Sequence, residues 1–140
     1  MTDRFRDNGA CFVCGSGNSI GLNLAFRLDP ENGRAWADVI FPAHFQGWEG
    51  VVHGGLLATV LDEAMIKAGQ AKGIACVTAE ITVRFIKPAA TDQKYLVEGR
   101  IIEDKGKFIV AESEALDSSG TPVARASGKL FRVRARRPDA

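Results

Sequence analysis

The stretch from Val52 to Gly73 constrains the fold more than any other, because it is the one long segment of this chain with helical periodicity. At 3.6 residues per turn, Leu57, Val60, Leu61, Ala64, Ala68 and Ala71 share one broad face, which predicts a helix buried against a large apolar surface. His53, Gly54 and Gly55 open the segment with little side chain over its first backbone N–H groups. A bare helix start receives anions or carbonyl oxygens, and the same glycines also permit a tight entry turn. Glu63 precedes Lys67 by four residues, the order of an exposed ion pair, so a surface position is expected for it. Asp62 has Ala58, Thr59, Met65 and Ile66 as its helical neighbours. None is cationic, so Asp62 is either a helix-surface accident or a working carboxylate.

Leu22, Leu24, Phe26 and Leu28 alternate with polar or small residues, the period of a half-buried strand. Residues 29–33 turn it back. Ala35, Ala37, Val39 and Phe41 then make a second strand face that ends at Pro42, and a loop leads to the helix. Further strands are predicted over 75–86, 95–103, 107–116 and 123–133, with a hairpin connection at 103–107 and a turn at 117–120. Two strands, one long apolar helix and four meandering strands imply an α+β fold, with a curved antiparallel sheet around the helix. At 140 residues the chain fits a single domain over 1–140, with a leader over 1–20 and a flexible basic tail over 134–140.

A net charge of +1 offers no general field for nucleic acid or a membrane surface. No apolar run approaches 18 residues and no basic stretch precedes an apolar one, so a membrane span and a secretory signal are not expected and the cytoplasm is. Three cysteines, an odd number, argue against a disulfide framework. Cys11-Phe-Val-Cys14-Gly15 reads as a tightly turned leader packed on the body. It could also be half of a zinc site completed by His44 or by a second subunit, or a redox pair. No second Cys-x-x-Cys supplies further ligands and no thioredoxin-like context surrounds this one, so no metal is expected. Cys76 reads as a small apolar residue starting a buried strand.

His53-Gly54-Gly55 followed within the helix by Asp62 resembles the hotdog-fold acyl-CoA thioesterases, in the branch typified by the phenylacetate-pathway enzymes. The lead-in from Phe45 to Val52 and the later Val83-Arg84-Phe85-Ile86-Lys87-Pro88 look like that branch too, and the likeness runs from about Gly21 to Val133. It implies a hotdog fold and hydrolysis of an acyl-CoA thioester, with coenzyme A as part of the substrate and no separate cofactor. In such a site the Gly54 amide, with Gly55 beside it, would polarise the thioester carbonyl, and Asp62 would act as base or nucleophile. By the same resemblance His53 would orient the loop or the carbonyl, unless it caps the helix. Thr78 matches a hydroxyl that assists the attacking water in some relatives, and Gln46 lies beside Gly47, where some relatives carry a polar residue. Arg84, Lys87, Lys105 and Lys107 are the expected cations for coenzyme A phosphates. The arginines at 132, 134, 136 and 137 read as a solvated terminus, with phosphate attraction as the alternative. Ala58, Met65 and Ile66 would line an acyl pocket with the partner sheet.

Eight helical residues separate Gly54 from Asp62, about 12 Å at 1.5 Å per residue, too far to reach one carbonyl. A site shared by two chains is therefore expected. The resemblance implies the same homodimer, often paired further into a homotetramer. The competing readings are a non-catalytic acyl-CoA-binding module and a hydratase or dehydratase on the same fold. The latter would want a His–Asp pair in the pocket, and neither histidine stands one helical turn from Asp62.

Overall fold

In the computed structural model, which describes residues 5–136, the periodic stretch becomes helix α1 (Gly54–Ala71). The strands are β1 (Phe5–Arg6), β2 (Arg27–Asp29), β3 (Arg34–Ile40), β4 (Cys76–Phe85), β5 (Lys94–Asp104), β6 (Phe108–Leu116), β7 (Pro122–Arg132) and β8 (Ala135–Arg136). Strands β2 to β7 form one antiparallel sheet in the spatial order β2-β3-β5-β6-β7-β4, and β1 pairs in parallel with β8. Helix α1 contacts all six strands of the large sheet, so the sheet wraps it on one side.

The packing follows from residue size. All six residues predicted for the helix's apolar face are buried, and Met65 and Gly69 join them. Each leucine taken out of water there contributes about 1.5–3 kcal/mol. The strands present small residues to them, among them Ala35, Ala37, Ala111, Ala115 and Ala124, all at 1% exposure or less. Small side chains let the helix approach the sheet closely. At Gly99 on β5 the approach is backbone to backbone, for a Cβ there would overlap the Ala64 carbonyl and stand 2.9 Å from the Met65 nitrogen. Ser113, opposite Gly99 on β6, is buried and donates its hydroxyl to the Leu61 carbonyl at 2.8 Å. These two neighbours fix the height of the helix on the sheet. Because backbone cannot move aside as a side chain can, Gly99→Ala is expected to destabilise the protein by about 2–3 kcal/mol. A urea-unfolding midpoint equal to wild type would show that the helix is not seated at that point.

Four late strands and β3 match the predicted ranges to within a residue or two. The first predicted strand does not. Leu22, Leu24 and Phe26 pack against the core as their alternation suggested, but ladder pairing begins only at Arg27, and Leu28 is 43% exposed. The reason lies in the leader, whose Phe12 and Val13 carbonyls accept the Leu22 and Leu24 N–H groups at 2.7 and 2.8 Å. The leader thus is a packed part of the body, with Val13 buried. The predicted flexible tail begins instead with β8, while Arg137 and the rest of the tail lie outside the described residues.

Candidate active site

The entry to α1 is built by the short helix Ala43–Phe45 and the loop after it. His53 is the N-cap: its Nδ1 accepts the Gly55 N–H at 2.9 Å, which leaves Nε2 as the ring's donor. Of the two roles open to His53 in the sequence, capping is the one the geometry displays. Gly55 therefore has its amide engaged. Leu56 and Leu57 both bond back to the His53 carbonyl, so Gly54 is left with an N–H that has no acceptor among the described residues. Gly54 lines a cleft of about 770 Å³ with chiefly apolar groups, including Trp48, Val51, Leu57, Phe85, Ile86 and Pro88. Trp48 is 85% exposed at its rim. Gln46 is not among the lining residues; its side-chain carbonyl accepts the Gly50 amide and holds the loop.

Asp62 lies partway along α1, half-buried, and accepts a 2.5 Å hydrogen bond at Oδ1 from the Thr78 hydroxyl. A hydroxyl donating to a carboxylate at that length is a strong, charge-assisted contact. Thr78 is aimed by a bulge: β4 pairs Thr78 with Leu130 and Glu80 with Lys129, so Ala79 is the extra residue. The other oxygen, Oδ2, has no partner among the described residues, and no unpartnered side-chain polar atom is buried, so Oδ2 reaches solvent. The resemblance had supplied Thr78 as a water-assisting hydroxyl; its contact here is with Asp62 itself. Neither Asp62 nor Thr78 lines the cleft at Gly54. Within one chain the two halves stay apart.

The four expected cations are dispersed. Lys87 lines the Gly54 cleft and pairs with Asp117 at 2.9 Å, and Arg84 lies on the outer sheet face beside Arg125, Glu112 and Glu114. Lys105 and Lys107 lie in and beside the β5–β6 turn at the opposite end of β4; Lys105 faces Glu103 at 3.6 Å. Of the acyl-pocket residues proposed from the helix, Met65 is fully buried, with Gly128 of β7 against its terminal methyl. It belongs to the core because the sheet wraps farther around α1 than the wheel alone indicates.

Glu63 requires the clearest correction. It is half-buried, and its Oε2 lies 3.6 Å from the Cys11 Sγ, while Lys67 bonds Gln70 instead. Burial, and then the Glu63 carboxylate, push the neighbouring Cys14 thiol up to about 12. His44 is exposed on a different cleft and takes no part in this cluster.

A helix wrapped by a six-stranded antiparallel sheet, with a free helix-start amide above an apolar cleft and a paired carboxylate farther along, defines the hotdog architecture. The family model described as Thioesterase superfamily matches residues 49–124, more than half of the chain, and that span contains Gly54, Asp62 and Thr78. The chain belongs to the thioesterase superfamily, a class of thioester hydrolases. It is 28% identical over 112 residues to a provisionally named esterase of Saccharolobus solfataricus, a match covering 76% of this chain and 77% of that protein. Among solved structures, a thioesterase superfamily protein superposes with a TM-score of 0.81 at 24% identity, covering 88% of this chain but only 63% of its own. The PaaI protein of the E. coli phenylacetic acid degradation operon superposes at 0.75 with 21% identity and 83% coverage of each chain. A Streptococcus mutans protein solved with acetyl CoA gives 0.74 at 19% identity, over 81% of this chain and 91% of that one. These three likenesses establish the fold. No helix among the described residues is long and apolar enough to cross a membrane.

Proposed function

We propose that this protein hydrolyses acyl-CoA thioesters in a site completed by two copies of the chain. The observation that carries the reading is Asp62, a carboxylate with one oxygen anchored by Thr78 and the other open. With Oδ1 held, Oδ2 can take a proton from water as that water attacks the acyl carbon, or can itself attack. The carbonyl oxygen, turning negative, is met by the unpaired Gly54 N–H at the positive end of α1. Collapse of the tetrahedral adduct breaks the carbon–sulfur bond. With water as the attacker it gives the free acid, and the proton held on Asp62 passes to the leaving coenzyme A thiolate. With Oδ2 as the attacker it leaves an Asp62 acyl anhydride, which a water then hydrolyses to the free acid while supplying the thiolate's proton. The chemistry needs no separate cofactor.

Helix α1 lies along β4, with Gly54 against Phe85 at one end and Asp62 against Thr78 nearer the other. The outer edge of β4 has no strand beside it among the described residues, and Ile81 and Phe85 are exposed along it. Two such edges paired antiparallel about the strand midpoint would set Thr78 near Val83 of the partner subunit, two residues from its Phe85. At about 3.3 Å per residue that is roughly 7 Å along the strand, against about 12 Å within one helix. The same pairing would carry Lys105 and Lys107 of one chain toward the end of β4 where Lys87 of the other lies. A homodimer is thus the smallest complete enzyme in this reading, a homotetramer its further assembly, and the cytoplasm its place.

The cleft volume falls in the range of drug-sized ligand sites, and its apolar lining fits an aliphatic or aromatic acyl group. The test is a steady-state assay of thiol release across short, long and aromatic acyl-CoAs. Saturable turnover that improves with apolar acyl surface is expected. Saturable binding with no release from any of them would make the protein a binding module and end this proposal.

A further inference from the structure

Cys11, Cys14 and Glu63 each bring one potential ligand atom to within 4.8 Å of the others, and the three line a cleft of about 360 Å³. They come from two distant parts of the sequence. The leader supplies a tight turn, in which the Gly15 N–H bonds the Cys11 carbonyl at 2.9 Å and a Cβ at Gly15 would overlap the Cys11 amide. Helix α1 supplies the carboxylate. The Cys11 Sγ to Glu63 Oε2 distance of 3.6 Å compares with about 3.5 Å for a sulfur and an oxygen on one tetrahedral zinc ion.

We propose that these three side chains bind one zinc-type divalent cation per chain, with water in the fourth position on the cleft side. Two sulfurs and one carboxylate select a borderline-soft ion such as zinc over magnesium or calcium, which take oxygen-rich sets. The Glu63 carboxylate, 3.6 Å from the Cys11 sulfur, gives the cluster an anion that a bound cation would neutralise. Two thiolates, one carboxylate and a divalent ion sum to one negative charge. Lys67 lines the same cleft and offsets it.

The ion would tie the leader to α1 at the residue next to Asp62. Its role is to hold that side of the helix, and the cation takes no part in hydrolysis, so the inference stands or falls separately from the proposed activity. Both cysteines precede the matched superfamily span, which begins at residue 49, while Glu63 lies inside it.

The test reads metal and not turnover. Full-length protein is expressed with zinc in the medium, dialysed against metal-free buffer and measured by plasma mass spectrometry. About one zinc per chain is expected for wild type, and less than a tenth of that for Cys11→Ser/Cys14→Ser and for Glu63→Gln. Should a variant fail to fold, chelated wild type is titrated with cobalt. A thiolate-to-cobalt charge-transfer band saturating at one equivalent per chain is then the expected result. Wild type that holds no zinc and gives no such band, or a folded Glu63→Gln protein with a full equivalent of zinc, overturns the proposal. So does an intact mass lighter by two hydrogens that shows Cys11 joined to Cys14.

Discussion

Asp62→Asn is expected to lower kcat by about a hundredfold or more, the usual scale for removing a positioned base or nucleophile. Asparagine keeps the size of the side chain and can still accept the Thr78 hydroxyl, so folding and acyl-CoA binding should survive. What is lost is the open oxygen that can take a proton or attack carbon. KM and thermal midpoint should therefore move little while kcat falls. A variant within about threefold of wild-type kcat would remove Asp62 from the reaction altogether, whatever the fold.

Mixing two dead variants should restore activity to roughly a quarter of wild type if each site draws on both chains. Gly54→Pro deletes the N–H that has no acceptor among the described residues, and Asp62→Asn deletes the carboxylate proposed to work on the thioester. Neither homodimer retains an intact site. After co-refolding, random pairing makes about half the dimers hybrids, and each hybrid joins an intact Gly54 to an intact Asp62 at one of its two sites. The other site collects both lesions. Native mass spectrometry would count the hybrids and circular dichroism would verify both folds. Zero recovery with hybrids present would place each site within a single chain and dissolve the argument from β4.

The sequence rendered local periodicity well and long-range encounters poorly. Leu57, Val60, Leu61, Ala64, Ala68 and Ala71 were legible because a buried helical face needs nothing beyond its own spacing. Ala35, Ala37, Val39 and Phe41 were legible for the corresponding reason in a strand. Glu63 was misread because its spacing to Lys67 describes a helix alone in water, whereas the leader comes from residue 11 to cover that flank. Met65 failed similarly: its distance from the center of the apolar stripe was visible, but the reach of β7 around the helix was not. Leu22, Leu24 and Phe26 alternated truthfully as to burial while Leu28 did not, and alternation carries no information on which backbone accepts the N–H groups. The bulge at Ala79 left no mark in composition. Its one signal was a threonine in the strand after the helix, and only the family likeness gave that residue weight.

The Gly99 contact has a bearing on how such a protein can change its diet. With the helix backbone resting directly on β5 at Gly99, the height of Asp62 is referenced to the sheet. The outer walls of the Gly54 cleft include Trp48, Phe85, Ile86 and Pro88, drawn from a loop, a strand end and the segment after it and not from β5. Under the proposed hydrolysis, the outer walls that would meet the acyl group and the carboxylate would thus sit on different mechanical parts. If that reading holds, substitutions in those walls would exchange one acyl group for another while the carboxylate keeps its station.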